Sequence, residues 1–350
     1  MSCSKILLFP LSMIYGFIVS FRNFLFDIGF LRTRQFKVPI ICVGNITVGG
    51  TGKTPHTELL IAELRKKFKV ACLSRGYKRK SSGFIIANEQ STASQIGDEP
   101  FQMYSKFPDI TMACDGNRVR GIEKLLAQEE APEVIILDDA FQHRYVQADK
   151  NIVLIDYNRP ISEDYLLPMG RLRESAHALK RADYIIVTKC PHNLSPIERR
   201  VWNKQLDLGH HQQLFFTRLG YEGICHLTGE AVAPQLDEET HILCIVGIAE
   251  PTPYIEHLQT TTPHVTIMRY PDHHHFTSKE IQQIEKRFEA LKEEKKYIFT
   301  TEKDAARLKT CHLTPELKNQ IFYIPVRPIF LQDEELFLTD ISEYVRKNQA

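Results

Sequence analysis

A short apolar run that leads into a glycine-rich loop and then a helical pattern constrains the fold more than any other feature. The run VPIICVGNI (38–46) is rich in β-branched residues and predicts a buried strand. The loop TVGGTGKT (47–54) follows directly, and a helical pattern continues from about Pro55 to Lys67. This order presents backbone N–H groups and a helix N-terminus to a bound anion. The segment therefore predicts a phosphate-binding loop at the edge of a parallel α/β sheet.

The residue types in this loop indicate how a nucleoside triphosphate would bind. Lys53 would reach the β- and γ-phosphates, and Thr54 would place its hydroxyl on Mg²⁺. The strict pattern G-x-x-x-x-G-K-[ST] has glycine where this chain has Thr47, yet the strand, loop and helix around it are retained. We predict a nucleotide-binding site formed by Thr47, Val48, Gly49, Gly50, Thr51, Gly52, Lys53 and Thr54.

A pair of acidic residues follows a second buried strand downstream of the loop. The run PEVIILDDA (132–140) ends in Asp138 and Asp139. A phosphate-binding loop needs a carboxylate at the end of a neighbouring strand to hold its Mg²⁺. A capped turn would explain one carboxylate, but two adjacent ones favour metal binding.

Further apolar runs alternate with helical spacers, which is typical of a parallel sheet with helices on both faces. They lie at 69–76, 151–157, 182–189, 241–249, 264–270, 295–301 and 319–326. A chain of 350 residues exceeds what one core usually supports, so we expect two domains. The fold class predicted is α/β: a P-loop NTPase-type parallel sheet domain at 31–210, a strand linker at 211–240 and a smaller α/β domain at 241–350.

Charge and cysteine usage exclude several classes of protein. A formal net charge of +1 argues against a protein that binds duplex nucleic acid, and no nucleic-acid partner is expected. The eight cysteines form no C-x-x-C pair, so we read them as reduced thiols of a cytosolic chain.

The N-terminus departs from this soluble pattern. Residues 6–21 are sixteen residues without a charge, fewer than the ~20 that a spanning helix needs. Pro10 also weakens a long helix. The residues alone leave two alternatives open: a buried core helix, or a segment at 1–30 that lies in a membrane interface with Arg22, Arg32, Arg34 and Lys37 near the headgroups.

Two further segments carry candidate catalytic groups. The motif GDEP (97–100) offers Asp98 and Glu99 in a Gly/Pro-bounded loop, and PDHHHF (271–276) lies far downstream. Consecutive histidines converge poorly on one metal ion, so a metal site is not expected there. A histidine at the mouth of an interdomain cleft would instead hold an aspartate and tune its basicity.

Taken together, the motifs resemble the tetraacyldisaccharide 4′-kinase family of lipid A biosynthesis. They occur in that family's order at VGNITVGGTGKTP (43–55), LSRGYKRK (73–80), GDEP (97–100), LDDAFQHR (137–144), GRLRE (170–174), YPDHHHF (270–276) and TTEKDAARL (300–308). The family's own loop also has threonine at the first position. The resemblance implies ATP and Mg²⁺ as cofactors and an acylated, 1-phosphorylated glucosamine disaccharide as the acceptor. It also implies a peripheral enzyme on the cytoplasmic face of a Gram-negative inner membrane, docked by its N-terminal helix, with no obligate protein partner.

The resemblance also assigns roles to residues. Asp98 matches a base that forms a dyad with the histidine of a D-H-x-x-F motif, which here is His273 rather than His274 or His275. Glu99, Asp138 and Asp139 match acidic positions near Mg²⁺, together with Thr54. Four arginines are candidates for binding phosphate or sugar, because guanidinium forks suit such groups: Arg75, Arg118, Arg120 and Arg173.

Three other functions are weighed against this one. A P-loop kinase of another sugar or a nucleoside would share the loop, and activity on a delipidated disaccharide would identify it. A GTPase-like switch would need an N-K-x-D motif, and TKCP (188–191) lacks its aspartate. A membrane-recruited structural ATPase fits the apolar N-terminus but gives Asp98 and His273 no purpose.

Overall fold

The computed structural model describes residues 3–229 and 231–349. The helices of this part of the chain cover both halves of the sequence. They are α1 Cys3–Asp27, α2 Lys53–Leu64, α3 Ala93–Ile96, α4 Asp98–Lys106, α5 Arg118–Leu126, α6 Pro196–Leu206, α7 Thr252–Gln259, α8 Ser278–Glu289, α9 Glu302–Leu308, α10 Pro315–Lys318 and α11 Glu334–Lys347.

The apolar runs that the sequence analysis assigns to strands all form strands. The strands are β1 Ile40–Asn45, β2 Val70–Ser74, β3 Ile85–Ile86, β4 Thr111–Cys114, β5 Val134–Asp138, β6 Lys150–Asp156, β7 Tyr184–Thr188, β8 Gln213–Tyr221, β9 Cys225–His226, β10 His241–Val246, β11 Val265–Arg269, β12 Lys296–Thr301, β13 Ile321–Ile324 and β14 Val326–Phe330. They build two sheets, so the predicted α/β class is confirmed.

The larger sheet positions the predicted nucleotide loop. Its strand order is β14-β8-β7-β6-β1-β5-β2-β4-β3, and β1 pairs in parallel with β5 on one side and β6 on the other. Successive residues of β1 point to opposite faces, so Ile41 and Val43 pack under α2 while Ile40 and Cys42 face the α5 and α6 side. Helices on both faces thus bury the strands, and the carboxyl ends of β1 and β5 meet at one edge.

The smaller sheet has the order β11-β10-β12-β13-β9, with β9 antiparallel to β13. Two connections join the sheets, from β8 to β9 and from β13 to β14. Strand β14 pairs antiparallel with β8, and α11 packs Phe337, Ile341 and Val345 on the α2 side of the larger sheet. Residues 326–347, which the sequence-based division assigns to the second domain, therefore pack with the first, and β8 of the predicted linker is a strand of the larger sheet.

The N-terminal helix α1 leaves most of its apolar surface uncovered. It runs through Pro10 and past Arg22 for 25 residues, longer than the uncharged stretch that suggested it. Among the described residues it is the helix long and apolar enough to cross a membrane by length and composition, with a mean hydropathy of 1.4 over Leu7–Asp27. Leu7 is 80% exposed and Phe17 is 72% exposed. The core-helix alternative is therefore wrong.

Candidate active site

The glycine loop is held in place by backbone pairing and by two buried hydroxyls. Thr47 forms an antiparallel bridge with Leu172, so its backbone is extended and a β-branched residue fits there without strain. Gly49 and Gly52 have φ of 109° and 85°, which favour glycine. Asn45 donates its Nδ2 to Thr51 Oγ1 at 2.9 Å, and the Thr188 hydroxyl donates to the Thr51 carbonyl at 2.9 Å. The missing glycine at position 47 is thus explained by the bridge.

The acidic pair lies at the carboxyl end of β5, with Asp138 as its last residue, as the sequence indicated. Asp138 is 5% exposed, accepts a hydrogen bond from Ser74 Oγ at 3.0 Å and lies 3.5 Å from Thr57 Oγ1 on α2. Its burial, together with the charge of Asp139, raises the pKa of Asp138 to about 6. Thr54 precedes Thr57 by three residues and so shares its face of α2.

Asp139 lies between two cations. Its Oδ1 is 3.6 Å from Lys53 Nζ and 3.0 Å from Arg173 Nη1. Burial alone would raise the pKa of Asp139, but Lys53 and Arg173 outweigh it and hold that pKa below its usual value. The loop lysine therefore has a carboxylate partner where the terminal phosphate of a nucleotide would lie.

The residue types at this edge fit a magnesium ion bound together with a nucleotide. Mg²⁺ usually takes one or two carboxylates and completes its shell with water and phosphate oxygens. Within the described residues no group of three or more His, Cys, Asp or Glu side chains forms a cage. Asp138, Asp139 and Thr54 would thus supply part of a shell that phosphate completes. Glu99, also assigned to the metal from sequence, contacts Lys303 Nζ at 2.7 Å.

The structure brings Asp98 and His273 together from the two sheets. His273 Nδ1 lies 2.9 Å from Asp98 Oδ2, although 175 residues separate them in the chain. An ionised carboxylate only accepts hydrogen bonds, so the imidazole proton resides on Nδ1 in this contact. Asp98 is the first residue of α4, and His273 follows β11 with a left-handed φ of 61°.

The neighbouring histidines point elsewhere. His274 Nε2 lies 2.9 Å from Glu280 Oε1, in the capping box that begins α8. His275 is exposed. The assignment of the aspartate contact to His273 among three consecutive histidines therefore agrees with the geometry.

One residue of the site was missed from sequence. Arg307 on α9 donates Nε and Nη2 to Asp98 Oδ2 at 3.1 and 2.7 Å. Burial acts to raise the pKa of Asp98, but the His273 hydrogen bond and the Arg307 charge outweigh it and hold that pKa well below its usual range. The motif TTEKDAARL contained the only signal, and nothing in it linked Arg307 to Asp98.

The four candidate arginines have different environments. Arg173 contacts Asp139, as described above. Arg118 is 2% exposed and donates to the carbonyls of Asp115 and Asp138, so it supports the loop after β5. Arg120 forms a bidentate pair with the Asp115 carboxylate. Arg75 is exposed and lines a basic cavity of about 550 Å³.

Helix α1 docks on the segment that pairs with the glycine loop. The Tyr15 hydroxyl donates to the Arg173 carbonyl at 2.9 Å, and Ser12 Oγ donates to the Leu166 carbonyl at 2.8 Å. Arg22 pairs with Glu174 at 2.8 Å, and the exposed Arg34 pairs with Glu123. Helix α1 thus contacts Arg173, whose side chain binds Asp139 of the site.

Comparison with known proteins identifies the family. The family model described as "Tetraacyldisaccharide-1-P 4'-kinase" matches residues 4–346. A tetraacyldisaccharide 4′-kinase of Phocaeicola vulgatus is 51% identical over 97% of this chain and 95% of its own length. One of Flavobacterium johnsoniae is 43% identical over 99% of both chains. A crystal structure of LpxK from Aquifex aeolicus in complex with ATP has a TM-score of 0.77 and 28% identity over 99% of both chains. The chain therefore belongs to the tetraacyldisaccharide 4′-kinase family.

Proposed function

We propose that this chain catalyses ATP-dependent phosphorylation of the 4′-hydroxyl of an acylated glucosamine disaccharide 1-phosphate, a step of lipid A biosynthesis, with Asp98 and His273 as its catalytic pair. The observation that carries the assignment of this pair is the 2.9 Å contact from His273 to Asp98 across the two sheets. A loop for the donor and a carboxylate for the acceptor are the two parts that phosphoryl transfer requires. Nothing observed favours a kinase of another sugar or nucleoside.

The donor side is built on the first sheet. Backbone N–H groups of the glycine loop and the α2 N-terminus would face the phosphates, except those of Val48 and Thr51, which donate to protein carbonyls. Lys53 would neutralise the charge that develops on the transferred group. Asp138, Asp139 and Thr54 would hold Mg²⁺, which would supply positive charge to stabilise the phosphates. Arg173 keeps Asp139 ionised and in place.

The acceptor side lies where the sheets meet. Asp98 stays ionised at neutral pH, because Arg307 and His273 stabilise its charge. It would accept a hydrogen bond from the sugar hydroxyl and take its proton as the sugar oxygen bonds to the γ-phosphorus of ATP and the bond from that phosphorus to ADP breaks. His273 orients the carboxylate through Nδ1, which donates a hydrogen bond to Oδ2.

We propose further that α1 lies in the cytoplasmic face of the bacterial inner membrane. Six of its exposed apolar residues lie at helical spacing and form one docking face, namely Leu7, Leu11, Ile14, Phe17, Ile18 and Phe21. The exposed Arg32 and Lys37 would face anionic headgroups in place of the paired Arg22 and Arg34. A lipid acceptor would then reach Arg173 along the helix that contacts it.

The experiment for the reaction combines γ-labelled ATP, Mg²⁺ and the acylated disaccharide 1-phosphate with purified enzyme. Label is expected on the 4′-oxygen of the lipid. His273→Ala should abolish most of this transfer, whereas His275→Ala, the matched control at an exposed position, should retain it. Equal turnover of a delipidated disaccharide would favour the broader sugar kinase, and full activity of His273→Ala would contradict the pair.

The experiment for the helix uses substitutions that leave its docking contacts intact. Leu7, Phe17 and Phe21 are changed to Ser, and binding to vesicles that contain anionic lipid is measured by flotation. Membrane binding should fall while activity on a short-chain soluble acceptor is kept, because Tyr15 and Ser12 remain. Leu336→Ser, at a position 57% exposed on α11, is the control. Unchanged flotation of the triple variant would contradict the proposal.

A further inference from the structure

A buried arginine of the second sheet holds the carboxylate assigned as the base. The Arg307 side chain is 2% exposed, and its donors are satisfied by named partners. Nε and Nη2 both reach Asp98 Oδ2, at 3.1 and 2.7 Å. Nη1 donates to Asp304 Oδ1 at 2.7 Å and to the Gly247 carbonyl at 3.0 Å. Hydrogen bonds to three residues thus fix the orientation of the planar guanidinium.

The partners of Arg307 are themselves rigid. Asp304 is fully buried, and its Oδ2 accepts hydrogen bonds from Gly247 N and Thr301 Oγ1, each at 2.8 Å. Thr301 also caps the N-terminus of α9. A Cβ at position 247 would approach Asp304 Oδ1 to 3.0 Å, so this close packing favours glycine. The end of β10 and the first turn of α9 therefore form one platform that carries Arg307 towards Asp98.

The hydrogen bonds to Asp98 are distributed unequally between its two oxygens. Oδ2 accepts from His273 Nδ1 and from both Arg307 nitrogens. Oδ1 receives no hydrogen bond from any residue that the structure describes. A carboxylate held by three donors on one oxygen cannot rotate freely, so its second oxygen keeps one direction.

We propose that Arg307 is a positioning residue for the phosphoryl transfer. Arg307 orients Asp98 so that its Oδ1 faces the acceptor hydroxyl. This inference rests on the proposed role of Asp98. Arg307 acts through Asp98 and touches neither substrate. Its platform belongs to the second sheet, so Asp98 is oriented only while α9 is packed against α4.

The structural alternative is an ordinary ion pair between two packed helices. The same helices also carry Lys106, which pairs with Glu302 at 3.1 Å. An ion pair that only joins α4 to α9 would lower the free energy of unfolding when broken, and kcat of the enzyme that stays folded would remain near wild type. A positioning residue, in contrast, should lower kcat of the folded enzyme, and this effect should disappear once Asp98 is gone, because residues that act as one unit are not additive.

The test is a double-mutant cycle on the full-length enzyme. Arg307→Met is made with Asp98 present and again with Asp98→Ala, and kcat and KM are measured for both substrates. In the first background kcat should fall ~10²-fold, the cost of misplacing a reacting group by about an ångström, with each KM within about threefold. In the second background Arg307→Met should change kcat by less than about twofold. Arg307→Lys should recover part of kcat, because it keeps the charge but not the fork.

Several outcomes separate this inference from the proposed function. Equal kcat losses in both backgrounds, or a loss confined to KM, would overturn the role of Arg307. If Asp98→Ala alone keeps wild-type kcat, the assignment of the base fails, whatever Arg307 does. If Arg307→Met does not fold, Arg307→Lys replaces it in both arms of the same cycle. Lys106→Met is the interface control, and its effect on kcat should be the same with and without Asp98.

Discussion

A buried carboxylate on the P-loop helix offers a sharp test of the electrostatics around the site. Glu58 on α2 is 3% exposed and contacts Lys106 Nζ at 2.7 Å. Lys106 also pairs with Glu302 of the second sheet, and Gln102 donates to both carboxylates. Two carboxylates therefore share one lysine. The perturbation is Glu58→Gln, which imitates the protonated acid and leaves the Lys106–Glu302 pair in place.

The direction of the pH effect follows from where the proton is bound. Burial, reinforced by the charge of Glu302, raises the pKa of Glu58 from 4.5 to about 7. Between these values the folded protein holds a proton that the unfolded chain has released. The stabilisation from Glu58 is thus complete below pH 4.5 and is lost as pH rises towards 7.

The size of the effect follows from the same pKa values. Each pH unit between the two pKa values is worth 1.36 kcal/mol, so the wild type should lose up to about 3 kcal/mol of unfolding free energy from this group. The Glu58→Gln variant has no ionisable group at this position, so its unfolding free energy cannot fall in this way. The variant should be close to wild type at pH 5 and more stable than wild type at pH 8.

The assay is urea denaturation of both proteins at pH 5, 6, 7 and 8, monitored by circular dichroism. Other titrating groups are common to both proteins and cancel in the difference. Glu63→Gln on the same helix is the control, because Lys66 holds the pKa of Glu63 below its usual value and the sign is opposite. If Glu58→Gln destabilises equally at pH 5 and pH 8, Glu58 is ionised throughout and the reasoning is refuted.

Three further predictions concern the loop, the catalytic pair and the packing beneath them. Lys53→Ala should lower kcat at least ~10²-fold, measured at saturating ATP, because the charge over the transferred phosphate is lost; near-normal turnover would contradict the loop assignment. Asp98→Ala and His273→Ala should each lower kcat by ~10²–10⁴, and the double variant should be little worse than the worse single one. Multiplied losses would show two independent roles. Gly44→Ala would bring a Cβ to 2.6 Å from Phe141 Cβ, and urea denaturation should show a loss of about 1–3 kcal/mol.

Local sequence was sufficient for most strands and for the glycine loop, but not for β3 and β4. The run 38–46 has few alternatives to a buried strand, and a lysine after three glycines has few alternatives to a phosphate ligand. The bridge from Thr47 to Leu172 could not be predicted from local sequence, because the two residues lie 125 positions apart in the chain. The pairing of β14 with β8 could not be predicted for the same reason. A short apolar run does not indicate which sheet its strand will join.

Burial of charge was equally hard to predict. Arginine is usually a surface residue, yet Arg118 is buried and donates hydrogen bonds to two backbone carbonyls. Arg307 is separated by 209 residues from the carboxylate that it binds. A guanidinium becomes buried only when several acceptors converge on it, and such convergence is a property of the packed chain.

The three consecutive histidines show most clearly where local reasoning ends. Spacing alone excluded a shared metal, since neighbours in regular backbone point apart, but it left open which ring reaches the aspartate. The choice is made by the backbone: His273 has a left-handed φ, which turns its ring away from the path of β11 and towards α4. His274 is then drawn to Glu280, because that glutamate already binds Thr277 in the α8 capping box. The N-terminal cap of α8 thus holds His274. His273 is left to bind Asp98, the first residue of α4.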